Sequence, residues 1–252
     1  MNLVGLSILW AIIGLLLAGI INILSDDLPV RQNPQRPHCP RCGHVYSAGS
    51  WLAITRYFRG SACPECGLPL RNRTLFVEVG MLILFAALPS LIEPVSDLAI
   101  YSVYIAVLVM VIVIDLEHRL VLHIVTFPTT TFALIASFPL TDSGIRLALA
   151  GAVVGFGFFF LAYLIGERFF GRGALGFGDV TLAMMMGAML GFQRIFFALI
   201  LGILLAGLWG AVALLTGRLQ RRSHFAYGPF LAGAGIIVII WGNQIFDRVS
   251  GS

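Results

Sequence analysis

Two aspartates stand at the ends of apolar segments, where a charged side chain is costly. Asp115 follows the apolar run 105–114, and Asp179 follows Gly176-Phe177-Gly178 at the start of another. A carboxylate at the edge of membrane hydrocarbon must be paired, solvated or protonated. Two neighbouring carboxylates share a proton, so one acts as the base and the other as the acid. The pair therefore predicts aspartyl hydrolysis, with either residue in either role.

Each aspartate also has a structural interpretation. Asp115 could mark a helix end and pair with Arg119, and Asp179 could be a helix N-cap or a first-turn acid that the helix dipole stabilises. Gly176 and Gly178 weaken the second interpretation, because they leave a backbone without side chains just before a carboxylate. An extended peptide can hydrogen-bond to such a backbone, so both glycines are predicted to lie where a substrate approaches.

All four cysteines fall in one polar segment, as two Cys-x-x-Cys pairs that each continue into glycine. The glycines permit the tight turn of a zinc knuckle, and four thiolates predict a closed, structural Zn²⁺ site. Two disulfides are the alternative, which a reducing cytoplasm would disfavour. His38 and His44 are expected at the surface rather than as ligands. The residues concerned are Cys39, Cys42, Gly43, Cys63, Cys66 and Gly67.

The composition indicates an integral membrane protein. Of 252 residues, 59% are hydrophobic and 11% are charged, and the mean hydropathy is +0.95; a soluble domain carries about 25% charged residues. The long apolar runs predict an all-α polytopic fold with about eight transmembrane helices. The first run lacks the basic start and cleavage pattern of a signal peptide and is predicted to be retained. The predicted spans are 3–24, 75–92, 98–115, 120–139, 146–166, 179–192, 195–216 and 226–246.

The arginines predict how these spans are oriented. The loops after the first, third, fifth and seventh spans hold 13 of the 16 basic residues, which are all Arg, and the opposite side holds three. Positive loops stay in the cytoplasm, so both aspartates and the cysteine segment are predicted on the cytoplasmic side. The predicted domains are a first helix (1–25), a zinc module (26–74) and a membrane peptidase domain (75–252). The positively charged loops are expected to contact the lipid bilayer, and no nucleic-acid partner is expected.

Four ordered motifs resemble those of the type IV prepilin peptidases, a family of GxGD aspartyl proteases. The two cysteine knuckles with Val77-Glu78 are similar to its N-terminal block. Ile114-Asp115 with the segment 122–128 is similar to its first aspartate motif, and the segment 173–182 to its second. Tyr227-Gly228-Pro229 and the residues up to Gly233 are similar to its last-helix signature, in which Gly228-Pro229 is expected to begin the final helix and pack near the site.

The resemblance implies a bacterial inner-membrane enzyme whose substrates are prepilins or pseudopilins. Such an enzyme removes a short leader at the cytoplasmic face and then methylates the new N-terminus with S-adenosylmethionine. Asp115 and Asp179 would be the catalytic residues. Glu78 could touch the cofactor or the new amine, or could pair with Arg71 or Arg73. A transporter that uses the aspartates as a proton relay and a membrane scaffold built on the zinc module are the alternatives.

Overall fold

The computed structural model describes residues 2–31, 34–60, 62–140, 144–171, 176–217 and 227–250. These residues form α-helices and connecting segments, with two isolated β-bridges and no sheet among them, which supports the predicted all-α class. Residues 173–175 of the second aspartate motif, and the arginines counted at 172, 218, 221 and 222, lie outside the described residues. The helices are α1 (Leu3–Arg31), α2 (Ala53–Arg59), α3 (Asn72–Ala87), α4 (Val95–His118), α5 (His123–Ala136), α6 (Ile145–Phe170), α7 (Phe177–Leu215) and α8 (Gly228–Ser250).

Five of the described helices are long and apolar enough to cross a membrane. They are Leu3–Arg31, Asn72–Ser90, Val95–His118, Ile145–Phe169 and Phe177–Leu215, and two shorter apolar helices are His123–Ala136 and Gly228–Gly242. The protein is therefore a multi-pass membrane protein, while the count of eight spans and their orientation stay predictions.

Two of the predicted spans lie within one continuous helical element of the structure. The spans 179–192 and 195–216 belong to the one element α7, in which Gly191 has the non-helical angles φ 76° and ψ 173°. A straight helix of 39 residues would be about 58 Å long, roughly twice the hydrocarbon thickness. The hydropathy pattern found the two segments, and a glycine in a left-handed conformation joins them without a loop.

The chain divides into two compact units, Met1–Leu98 and Ala99–Ser252. In the first unit, α1 packs against α3 at Gly14, where an added Cβ would lie 2.6 Å from the Cβ of Phe85. The helix α1 continues past the predicted end at Leu24 as far as Arg31, with Pro29 in its last turn. Hydropathy falls where the polar residues begin, whereas the backbone stays helical and carries Asp26 and Asp27 beyond the apolar run.

In the second unit, α6 and α7 meet backbone to backbone. A Cβ added to Gly151 of α6 would collide with the carbonyl group of Gly187, and one added to Gly155 would collide with that of Ala183. Small residues four apart on both helices are a common way for membrane helices to approach closely. This contact fixes the path of α7 and therefore the position of its first turn. The predicted domain boundaries at residues 25/26 and 74/75 separate segments by their expected functional roles. These boundaries stay a prediction.

Candidate active site and metal cluster

Asp115 lies in the last turn of α4, and the residue is only 4% exposed. A carboxylate near a helix C-terminus meets the negative end of the dipole. Two groups offset this: the backbone N–H of Gly228 donates a hydrogen bond to the carboxylate, and Arg119 attracts it electrostatically. The Oδ2 atom has no hydrogen-bond partner in the part of the chain that the structure describes, so it remains available to water or to a second acid.

The start of α8 is built around the Asp115 carboxylate. A Cβ added to Gly228 would lie 2.7 Å from Oδ2 of Asp115, so no side chain larger than hydrogen fits there without moving the acid. Pro229 follows in the first turn, where a missing N–H costs no helical hydrogen bond. The prediction that Gly228-Pro229 begins the final helix and packs near the site is confirmed.

Asp179 is held by the first turn of its own helix. Gly176 is the N-cap of α7, and its backbone N–H donates to the Asp179 carboxylate. The N–H of Asp179 in turn donates to the carbonyl oxygen of Gly176 at 3.1 Å. This reciprocal arrangement resembles a capping box. The helix-capping interpretation and the catalytic one are therefore compatible, because the contacts that stabilise the helix also orient the carboxylate.

The two carboxylates lie close enough for the charge of Asp115 to act on Asp179. The fold thus brings together residues from α4 and α7 that are far apart in the sequence. Two interacting carboxylates do not both ionise readily, so they hold one proton between them and titrate as a pair. Such a pair can activate a water molecule and protonate a carbonyl oxygen, which is the chemistry the sequence predicts for these two residues.

The two glycines before Asp179 have different surroundings. A Cβ added to Gly178 would lie 2.8 Å from the Cβ of Val121, so this glycine allows α7 to pack against the segment between α4 and α5. Gly176 is exposed, and the nearest atom to an added Cβ is Oδ2 of Asp179 at 3.6 Å. Among the described residues no atom lies nearer than 3.6 Å to a Cβ added to Gly176, whereas Gly178 is packed against Val121. That a substrate approaches these glycines stays a prediction.

Polar and aromatic side chains that the sequence analysis did not assign also surround Asp179. The hydroxyl of Thr181 contacts Nδ1 of His123 at 3.3 Å, and the His123 ring packs edge-on against Phe177. Tyr227 lies close enough to Asp179 to interact with it electrostatically, and its ring packs against Phe159 with the ring centres 5.7 Å apart. Its place directly before Gly228 was the signal that could have identified it.

The four cysteines form one cluster in the first unit. Their sulfur atoms all lie within 4.8 Å of one another, and the Cys39–Cys66 and Cys42–Cys63 pairs are each 3.6 Å apart. Sulfurs around a tetrahedral Zn²⁺ are about 3.8 Å apart for Zn–S bonds of about 2.3 Å, whereas a disulfide needs about 2.05 Å. The cluster therefore has the geometry of a metal site rather than of two disulfides.

Both knuckles have the same backbone design. In the first, the N–H of Cys39 donates to His44 and the N–H of Gly43 donates to Cys39. In the second, the N–H of Cys63 donates to Leu68 and the N–H of Gly67 donates to Cys63. Gly43 and Gly67 have φ of 74° and 67°, a left-handed conformation that favours glycine. The turn predicted from the Cys-x-x-Cys-Gly pattern is confirmed.

Backbone donors also favour thiolates in this cluster. Burial opposes ionisation of Cys39, but hydrogen bonds from the backbone of Cys42 and Arg41 outweigh it and lower the pKa of this thiol to about 6. Backbone hydrogen bonds from Cys66 and Glu65 likewise lower the pKa of Cys63. Cys42 and Cys66 also accept backbone hydrogen bonds, but burial and the neighbouring thiols outweigh them, so the pKa of Cys42 is raised to about 12 and that of Cys66 is raised as well. Thiolates are the form that binds metal, and without a cation the cluster favours them at Cys39 and Cys63.

Glu78 lies buried in the first unit and holds the start of α2. Its carboxylate accepts hydrogen bonds from the backbone N–H groups of Ala53 and Ile54, at 2.6 and 2.8 Å, and a longer one from Asn22. The helix α2 has no side-chain cap at its own N-cap residue, Leu52, so Glu78 provides the missing acceptor from another helix. Arg71 and Arg73 both contact Asp26. Glu78 also lines a cleft beside α1.

Comparison with known proteins identifies the class to which this fold and site belong. A profile of the type IV leader peptidase family matches residues 102–211, which include both aspartates. A prepilin leader peptidase/N-methyltransferase of Myxococcus xanthus is 33% identical over 91% of this chain and 70% of its own length. One of Bacillus subtilis is 27% identical over 96% of each chain, and one of Pseudomonas aeruginosa is 26% identical over 82% of this chain and 72% of its own.

The chain therefore belongs to the prepilin leader peptidase/N-methyltransferase family, as the four motifs predict. The matches to the relatives extend well beyond the segment 102–211, so the similarity also includes the first unit. No solved structure matches the chain significantly.

Proposed function

We propose that this protein is a membrane-embedded aspartyl peptidase that removes the leader of type IV prepilins or pseudopilins and then methylates the new N-terminus. The observation that carries the peptidase activity is the interacting pair Asp115 and Asp179, at the end of α4 and the start of α7. The names of the relatives support both activities. The site lies at the cytoplasmic face of a bacterial inner membrane, where the Arg distribution orients it.

Hydrolysis follows from the shared proton. The ionised carboxylate takes a proton from water as the water oxygen attacks the scissile carbonyl carbon, and the protonated carboxylate donates to the carbonyl oxygen. The proton then passes to the leaving amine as the C–N bond breaks, and the pair returns to its starting state. Gly228 keeps one oxygen of Asp115 oriented, and exposed Gly176 offers backbone groups to the extended substrate.

A transporter or a scaffold fits the geometry less well. A proton relay places its carboxylates near the bilayer centre, whereas these two stand at helix ends. A scaffold leaves their close approach unexplained. We assign Zn²⁺ to the four-cysteine cluster as a structural ion, since its sulfur spacing and closed thiolate set fit that metal. When bound, the ion supplies folding free energy to a segment with few apolar side chains.

The direct test is leader removal by the purified protein in lipid vesicles. Asp115→Ala and Asp179→Ala are each expected to reduce cleavage by a factor on the order of 10³ or more, because each removes one half of the acid–base pair. Glu167→Gln is the matched control, since it neutralises another carboxylate of the same unit and should cleave normally. Circular dichroism checks that the variants are folded. Normal processing by either aspartate variant would exclude the dyad.

A further inference from the structure

The short helix α2 is attached to membrane-spanning helices of its own unit rather than to the cysteine knuckles alone. The segment just before it packs on Gly19 of α1, where an added Cβ would lie 2.8 Å from the side chain of Leu52. Gly19 lies five residues inside the end of the apolar run at Leu24, which is about 7.5 Å along the helix axis. The approach to α2 is therefore fixed on a part of α1 that the membrane surrounds.

Glu78 of α3 gives an independent measure of the same depth. Its carboxylate accepts hydrogen bonds from the backbone N–H groups of Ala53 and Ile54 in the first turn of α2. Glu78 lies three residues after Leu75, where the apolar part of α3 begins, a rise of about 4.5 Å. The headgroup layer is about 5–8 Å thick on each side of the hydrocarbon. Both attachments therefore place the start of α2 near the boundary between headgroups and hydrocarbon.

The end of α2 presents aromatic rings to its surroundings. Tyr57 is 56% exposed and Phe58 is 81% exposed, and their rings meet edge-on with the centres 5.6 Å apart. The helix has seven residues and is about 10 Å long, so these rings stay close to the depth of its start. Phe76, two residues before Glu78 on α3, is 76% exposed. Aromatic side chains gathered at one membrane boundary are typical of the aromatic belt of membrane proteins.

Arg59 adds a positive charge to the rings at the end of α2. It is exposed, its guanidinium donates a hydrogen bond to the carbonyl oxygen of Gly49 at 3.1 Å, and no carboxylate contacts it within the described part of the chain. Arg71 and Arg73 of the same unit, by contrast, both contact Asp26. An uncompensated cation beside exposed rings matches an anionic lipid surface, because the rings enter the interface while the guanidinium stays among the phosphates.

We propose that Tyr57-Phe58-Arg59, the α2 tip, is a membrane-binding element that inserts its two rings into the lipid interface and places Arg59 among anionic headgroups. The segment that joins α1 to α3 then has a third attachment to the bilayer, and the strength of that attachment depends on lipid charge. The α2 tip takes no part in the hydrolysis proposed above, so this proposal and the proposed function can fail independently.

Thiol reactivity tests the insertion directly, because a charged, water-soluble maleimide reacts only with a thiol that reaches water. The reporter is Tyr57→Cys in the zinc-loaded protein, held in lipid nanodiscs whose two faces are both open to the reagent. Gln35→Cys is the matched control, since Gln35 is exposed and its backbone N–H donates to Asp27, beyond the apolar run of α1. In nanodiscs that contain phosphatidylglycerol, position 57 is expected to react about 10-fold more slowly than position 35, because Phe58 stays inserted.

Second substitutions in the Tyr57→Cys protein separate the two contributions. Phe58→Ser is expected to raise the reaction rate about 10-fold. Arg59→Gln is expected to raise it about 5-fold in the anionic nanodiscs and to have no effect in neutral phosphatidylcholine. Metal analysis checks that each variant keeps its zinc, and Phe58→Cys, with the same slow reaction expected, replaces Tyr57→Cys if that variant does not.

Two outcomes would overturn the proposal. A thiol at the α2 tip that reacts as fast as the one at position 35 would show that the rings lie in water. An effect of Arg59→Gln that is the same in both lipids would exclude the contact with anionic headgroups.

Discussion

The two units are held together by different kinds of contact. In the second unit, helices approach through glycines such as Gly151 and Gly187, and backbone N–H groups at helix ends hold the two acids. In the first unit, a metal cluster and polar pairs hold short segments around a cleft. Hydrolysis needs two carboxylates fixed relative to each other, which rigid helices provide. A small segment with few apolar side chains instead needs a staple, such as a metal ion, to keep its fold.

Removal of the metal would break the first unit alone. Cys39→Ser is expected to lose about one zinc per chain, and with it the fold of residues 34–71, because Cys39 is buried in the cluster. Metal analysis measures the loss of zinc, and circular dichroism measures the loss of folded structure. His44→Ala is the control: its ring pairs with exposed Glu65, so zinc should stay bound. Unchanged zinc in Cys39→Ser would argue against a four-thiolate site.

A change at the start of α8 is expected to impair the site of the second unit without affecting the metal cluster of the first. Gly228→Ala places a methyl group within 2.7 Å of the Asp115 carboxylate, and displacement of a catalytic group by about 1 Å costs roughly 100-fold in rate. Leader cleavage should fall by about that factor, while the zinc content stays at the wild-type level. Gly233→Ala on the same helix is the control, since no atom of the described residues lies within 4 Å of its added Cβ. Equal rates for the two variants would contradict the role given to Gly228.

The smallest expected effect is on the thermal stability of the second unit, where α6 and α7 pack closely through glycines. Gly151→Ala forces a methyl group into the backbone of Gly187, and overpacking of this kind costs about 1–3 kcal/mol. The midpoint of thermal unfolding in detergent should therefore fall. Gly157→Ala lies on the same helix, and no atom of the described part of the chain is within 4 Å of its added Cβ, so it should leave the midpoint unchanged. A midpoint that does not distinguish the variants would show that the α6–α7 contact is looser than described.

The sequence predicted the features that rest on spacing or on a change of polarity. The Cys-x-x-Cys-Gly pairs, the aspartates at the ends of apolar runs and the start of α8 at Gly228 all carry such a local signal. The approach of a substrate to Gly176 and Gly178 stays a prediction. The packing of Gly178 against Val121 could not be foreseen, because it depends on a segment remote from it in the chain. The end of α1 was placed at Leu24, since hydropathy does not record a helix that continues through polar residues.

The cleft could not be predicted, because no pattern links its residues. Asn22, Trp51 and Arg56 come from α1, the segment before α2 and α2 itself, and each is unremarkable in its own sequence context. Only the folded chain shows that these three residues line one recess. Glu78 was singled out from its motif, but its bonds to the start of α2 depend on tertiary structure. Long-range placement of single polar residues carries no periodic signal.

The confinement of every cysteine to the metal cluster makes this protein convenient for chemical labelling. A filled cluster leaves no free thiol, so one introduced cysteine becomes the single reactive group of the chain. Leu120 and Phe138 are exposed positions that flank α5 at its two ends. A maleimide that does not cross membranes, applied to intact cells carrying either substitution, would therefore read out directly which end of that helix faces the cell exterior.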